Sequence, residues 1–124
     1  MEMTSYPKSR EGVIIWLIKI IAGLLIVLLL GLHFIVNHLI VPGGLLSYAD
    51  VLAYYQVPVI PIIEAVFLVV VIAHAFIGIR SIVLDLNPSN KILSIINGLL
   101  ILGAVIATGY GIWLIVTVVK LGSS

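Results

Sequence analysis

Along His74-Ala-Phe-Ile-Gly78-Ile-Arg80-Ser81-Ile-Val-Leu-Asp85, the residues His74, Gly78, Ser81 and Asp85 recur at intervals of four, three and four. That spacing is one stripe of a helix. The helix is otherwise apolar, and a polar group in hydrocarbon costs several kcal/mol, of order 2–7, unless it is partnered. An imidazole with a glycine one turn later offers a ligand nitrogen and a gap for a flat ring, which is what a porphyrin iron needs. The alternative is a histidine hydrogen-bonded to a neighbouring helix. Arg80 lies about a third of a turn around from the stripe, where a guanidinium can meet a haem propionate or a lipid phosphate.

A second set sits in the first apolar segment. Trp16, Lys19, Gly23, Leu30, His33 and Asn37 fall within about 100° of one another on a helix. Counted from the helix ends on one side of the membrane, His33 lies about 30 Å deep and His74 about 18 Å, an offset of about 12 Å at ~1.5 Å per residue. One iron cannot take both. His33 therefore serves a second haem, or is an interfacial histidine bonded to Asn37 or solvent. His38 points away from this face and reads as a wet interfacial residue. Lys19 is close enough to the membrane surface to snorkel. Glu64, in the second apolar segment, either pairs with a partner chain or sits at the wet interface.

The elements that must carry these groups are three long apolar runs, about 13–41, 59–84 and 92–119, in one membrane-anchor domain spanning 1–124. Each exceeds the roughly 20 residues that cross a bilayer. The chain is 63% hydrophobic and 9% charged, against about a quarter charged in a soluble domain. Its formal charge of +1 argues against a nucleic-acid partner. With no cysteine, disulfides, thiolate chemistry and cysteine-held iron–sulfur clusters are excluded. The first run is longer than a signal peptide's apolar core of roughly 7–15 residues, so it is expected to be retained. Pro42-Gly43-Gly44 ends it. Pro58 and Pro61 suit the first turn of the second helix, and Asn87-Pro88-Ser89-Asn90 makes a turn in which Ser89 or Asn90 caps the third. In that third run Asn97, Ala104, Thr108 and Gly111 share a face suited to close packing, and Tyr110 and Trp113 suit an interfacial belt. The expected fold is an all-α membrane protein of three transmembrane helices.

Lys8, Arg10 and Lys19 lie on the N-terminal side, Arg80 and Lys91 around the second loop, and Lys120 in the C-terminal tail; the first loop has only Asp50. Positive residues mark the cytoplasmic side. The N-terminus is thus expected in the cytoplasm and the C-terminus outside, in a cell (plasma) membrane.

From Trp16 to Asp85 the chain resembles the membrane anchor (cytochrome b) subunits of the succinate dehydrogenase and fumarate reductase family, respiratory complex II. The second helix carries the family's His-Ala-x-x-Gly and the aspartate eleven residues after the histidine, as His74, Ala75, Gly78 and Asp85. The first carries Gly23, then His33 ten residues on, then Asn37. The resemblance implies that His74 is an axial ligand of haem b and that His33 ligates the distal haem of the di-haem branch. It departs where the family has arginine and serine in the first helix, here Ile20 and Ala22, and where it has tyrosine after the aspartate, here Leu86. Lys19 stands one residue from the arginine position.

The resemblance further implies a bundle shared with a second anchor subunit, an iron–sulfur subunit and a flavoprotein docked on the cytoplasmic side, and electron transport to a quinone in the tricarboxylic acid cycle. Cofactor-binding residues would be His74, His33, Arg80 and Gly78, with Asp85, Lys19 and Trp16 at the quinone site. The chain would be non-catalytic by itself. From a different class, a small transporter or channel subunit would use the intramembrane His, Glu and Lys as an ion path.

Overall fold

The computed structural model describes residues 11–124, all helix and connecting turns. Lys8 and Arg10 of the orientation argument lie outside the described residues, as does the Asn37 side chain. Helix α1 runs Val13–Phe34 and continues as a π-helical turn, Ile35–Ile40. A short helix α2 follows at Tyr48–Tyr54, then α3 at Val59–Asp85 and α4 at Asn90–Gly122. Three stretches are long and apolar enough to span a bilayer: Val13–Ile40, α3 and α4.

Local chemistry accounts for the boundaries. Proline cannot continue α1 and holds Val41 extended (φ −74°, ψ 124°). Gly43 and Gly44 then take φ of 87° and 72°, the left-handed region that glycine enters without cost. The linker that reads as loop contains α2, begun by a capping box. Ser47 Oγ accepts the Asp50 backbone N–H at 3.2 Å, and the Asp50 carboxylate accepts the Ser47 N–H at 2.9 Å. The Ser47 hydroxyl, donating to Asp50 Oδ2 at 2.6 Å, and then the Ser47 N–H hold the Asp50 carboxyl below its ordinary pKa. At the second loop Asn87 reverses the chain at φ 48°, a conformation that asparagine tolerates. Ser89 caps α4 through the Ile92 N–H, so α4 starts two residues before the expected position.

The order of packing is α1, α3, α4, with α3 against both neighbours and α2 laid on the far end of α4. Close approach between α3 and α4 uses missing side chains. A Cβ on Gly103 would lie 2.9 Å from the Phe76 ring, and Gly111 sits against Leu68 with no room for a methyl. Gln56 ties α2 down by donating to the Val119 carbonyl at 3.1 Å. Ala22 and Leu84 are the buried apolar residues of the described chain. Most of the leucine, isoleucine and valine faces outward, which suits lipid or further helices as the surrounding medium.

Candidate functional site

The seam between α1 and α3 gathers most of the polar residues singled out above. On α3, His74 turns its ring onto α1. Its Nδ1 lies 3.2 Å from the Lys19 carbonyl oxygen. A carbonyl only accepts, so Nδ1 carries the proton and Nε2 holds the lone pair. Gly23 makes this possible: a Cβ there would stand 3.2 Å from His74 Cε1. Among the described residues nothing hydrogen-bonds Nε2, and Nε2 is not among the buried polar atoms left without a partner. One turn along, a Cβ on Gly78 would meet nothing within 4 Å. An imidazole whose other nitrogen is fixed by a carbonyl is what an axial haem ligand requires.

Two turns further down the seam, the Lys19 ammonium is fastened between α3 and the residue just before α1. Its Nζ donates to Glu11 Oε2 at 2.9 Å and to Ser81 Oγ at 2.9 Å, and Ser81 donates to Glu11 Oε1 at 2.6 Å. The Ser81 hydroxyl, and then the Lys19 ammonium, hold the Glu11 carboxyl below its ordinary pKa. The Lys19 side chain therefore links α1 to α3, while its carbonyl orients His74.

At the other end of the seam, His33 Nδ1 is 3.7 Å from Glu64 Oε1 on α3, and its ring is 6.4 Å from that of Phe67. They border a cavity of about 250 Å³ that also takes in Leu29, Val36 and Tyr54. Burial, and then the Glu64 carboxylate, push the Tyr54 hydroxyl above its usual pKa. Gly23, against His74, and His33, against Glu64, are ten residues apart, so the two levels differ by about 15 Å along α1. His38 bonds the Gly44 carbonyl at 2.8 Å, away from the seam.

Comparison with known proteins gives the family. Residues 4–108 match the model of the succinate dehydrogenase/fumarate reductase transmembrane subunit family. The chain is also 34% identical over 118 residues to the succinate dehydrogenase hydrophobic membrane anchor subunit of Archaeoglobus fulgidus, covering 95% of this chain and 99% of that one. The chain belongs to this family. No solved structure matches it.

In this family member the expected site residues do not form one cluster. Lys19, Arg80 and Asp85 share one end of the bundle without touching. Lys19 is held by Glu11 and Ser81. Arg80 turns to α4, where its Nε donates to Asn97 Oδ1 at 3.0 Å. Asp85 is exposed at the end of α3, and Trp16 is half exposed on the outer face of α1. Two contributors escaped the sequence reading. Glu11 precedes α1 but sits eight residues before Lys19, about 80° apart on a helix, which was the available signal. Asn97 was assigned to packing alone.

Proposed function

We propose that this chain is the haem-carrying membrane anchor of a succinate:quinone oxidoreductase, acting in succinate oxidation or fumarate reduction and contributing no catalytic residue of its own. The single observation that carries the reading is the His74 ring, tied through Nδ1 to the Lys19 carbonyl of α1, which leaves Nε2 as the nitrogen for a ligand, with Gly78 one turn along α3 carrying no side chain. His74 Nε2 is the proposed ligand of haem b iron. Haem b supplies a one-electron carrier within the membrane. Gly78 leaves room for the ring, and Gly23 and the Lys19 carbonyl keep the imidazole from rotating.

His33 is the proposed ligand for a second haem iron where the complex carries two, the level difference of about 15 Å along α1 barring it from the iron of His74. Three helices supply one imidazole at each level, which supports a second anchor subunit completing the ligation. Lys19, Asp85 and Trp16 are proposed for the quinone end. There the Lys19 ammonium, held by Glu11 and Ser81, supplies positive charge, and the Trp16 ring supplies an apolar wall. Arg80 adds positive charge at the same end. The iron–sulfur and flavoprotein subunits would dock on that side, the cytoplasmic face of the plasma membrane, with the N-terminus on it and the C-terminus outside.

The test replaces His74 with Ala in the purified complex and records the reduced-minus-oxidised spectrum. Loss of one cytochrome b component with the subunits still assembled is the expected result. An unchanged signal at full occupancy sinks the assignment.

A further inference from the structure

Arg80 is left with an unanswered hydrogen-bond donor. Its Nε is used by Asn97, but its Nη1 is buried and has no hydrogen-bond partner. No carboxylate of the described residues reaches ion-pair distance of it. The nearest acid by electrostatic influence, Glu11, is already held by Lys19 and Ser81. Asp85 is five residues on, about 140° around α3. A buried guanidinium nitrogen without a hydrogen-bond acceptor is expensive, because a buried donor left unmade costs its full desolvation penalty.

The guanidinium borders a groove of about 370 Å³ between α3 and α4, walled by Ile15, Phe76, Ile77, Leu100 and Ile101 and almost wholly apolar apart from Arg80 and Asn97. With α3 centred in the bilayer, the groove also lies at the right depth. Helix α3 has 27 residues, about 40 Å, against a hydrocarbon core of about 30 Å, so its ends project by about 5 Å each. Arg80 stands five residues from the Asp85 end, which sets its backbone a few ångströms, about 3, inside the hydrocarbon boundary. Its side chain reaches the headgroup level, while the groove continues into the acyl region.

We infer that the α3–α4 groove binds one net-anionic phospholipid, whose phosphate accepts from Arg80 Nη1 and whose acyl chain lies along Phe76 and Leu100. Because Asn97 Oδ1 accepts from Arg80 Nε, its amide NH2 remains as a second donor to the phosphate. The site supplies one positive charge that no carboxylate of the described residues reaches at ion-pair distance. An acidic lipid balances it, whereas a zwitterionic lipid brings a cation for which the groove has no acceptor. The site is separate from the proposed haem ligand: Arg80 is about 120° around α3 from His74 and faces α4, while His74 faces α1. It does not rest on the haem reading.

The experiment uses the intact complex in detergent, stripped of lipid and titrated with dioleoyl phosphatidylglycerol or dioleoyl phosphatidylcholine, with native mass spectrometry as readout. A photoactivatable acyl analogue of the first maps the chain. The expected result is one phosphatidylglycerol per chain, bound at least tenfold more tightly than phosphatidylcholine, with crosslinks on α3 and α4 near Phe76 and Leu100. Arg80→Gln abolishes that preference, Arg80→Lys keeps part of it, and Asn97→Ala weakens it severalfold. Equal binding of the two lipids, crosslinks elsewhere, or an undiminished preference in Arg80→Gln overturns the inference. So does displacement by millimolar inorganic phosphate alone, which marks a free-anion site. A shifted haem potential in Arg80→Gln with lipid binding intact overturns it in favour of a propionate. If Arg80→Gln fails to assemble, the wild-type preference and crosslink positions decide by themselves.

Discussion

The two ends of the α1–α3 seam use similar residues to opposite effect. At one end a histidine, a lysine, a glutamate and a serine form a closed set: His74 on the Lys19 carbonyl, and Lys19 on Glu11 and Ser81. At the other, a histidine and a glutamate face each other at 3.7 Å beside a cavity of about 250 Å³. The difference lies in the apolar neighbours. Gly23 lets His74 pack directly on α1 and Ala22 is buried beside it, whereas Leu29, Val36 and Phe67 line the cavity beside His33. Small residues bring backbones together and turn a polar side chain into a directed one.

The strongest way to break this comparison is to pry the tight end open. Gly23→Leu puts a branched side chain where a single Cβ is already 3.2 Å from the ring. The predicted outcome is loss of most of the haem component assigned to His74, measured as haem per complex. Gly23→Ala should lose only part, because the ring can yield by a few tenths of an ångström. Retention of full haem in Gly23→Leu would mean that His74 is not held from α1.

Ser81→Ala removes hydrogen bonds to two charged groups. Such bonds are worth about 1.5–3 kcal/mol each when shielded. Here Lys19 and Glu11 are only partly buried, so we predict a loss of about 1–2 kcal/mol in total, read as a lower Tm of the complex in detergent. The same set has a pH signature. The Glu11 carboxyl is held below its ordinary value of 4.5, so its contribution is present above that value and is lost as the pH falls through the folded-state pKa. Glu11→Gln should flatten the acid limb of stability against pH. An unchanged limb removes Glu11 from the account.

At the loose end smaller effects are predicted. His33→Ala should leave the His74-linked spectrum intact, and Glu64→Gln should change stability by less than about 1 kcal/mol. Loss of both haem signals in His33→Ala would join the two ends into one site. The smallest effect belongs to Asp85→Asn. Its exposure predicts normal assembly and haem content, with quinone reduction slowed a few-fold. A wild-type rate with normal inhibitor binding excludes it from the quinone site.

The three spans, the Pro42-Gly43-Gly44 and Asn87–Asn90 reversals and the Ser89 cap were legible because each follows from neighbouring residues alone. Helix α2 was legible in principle from Ser47-x-x-Asp50, but its polarity concealed it as loop. The stripe of His74, Gly78 and Ser81 was visible as a period along one helix, and so was the separation in level between His33 and His74. Its partners were not. Whether His74 meets the Lys19 carbonyl, whether Lys19 reaches Ser81, and whether Arg80 turns to Asn97 depend on the register and rotation of one helix against another. Hydropathy cannot supply these, since lipid accepts any apolar face equally. They were decided only by close contacts in the tertiary structure, at Gly23 against His74 on one side of α3 and at Gly103 and Gly111 against Phe76 and Leu68 on the other. Packing of this kind selects one rotation among several that the apolar pattern permits.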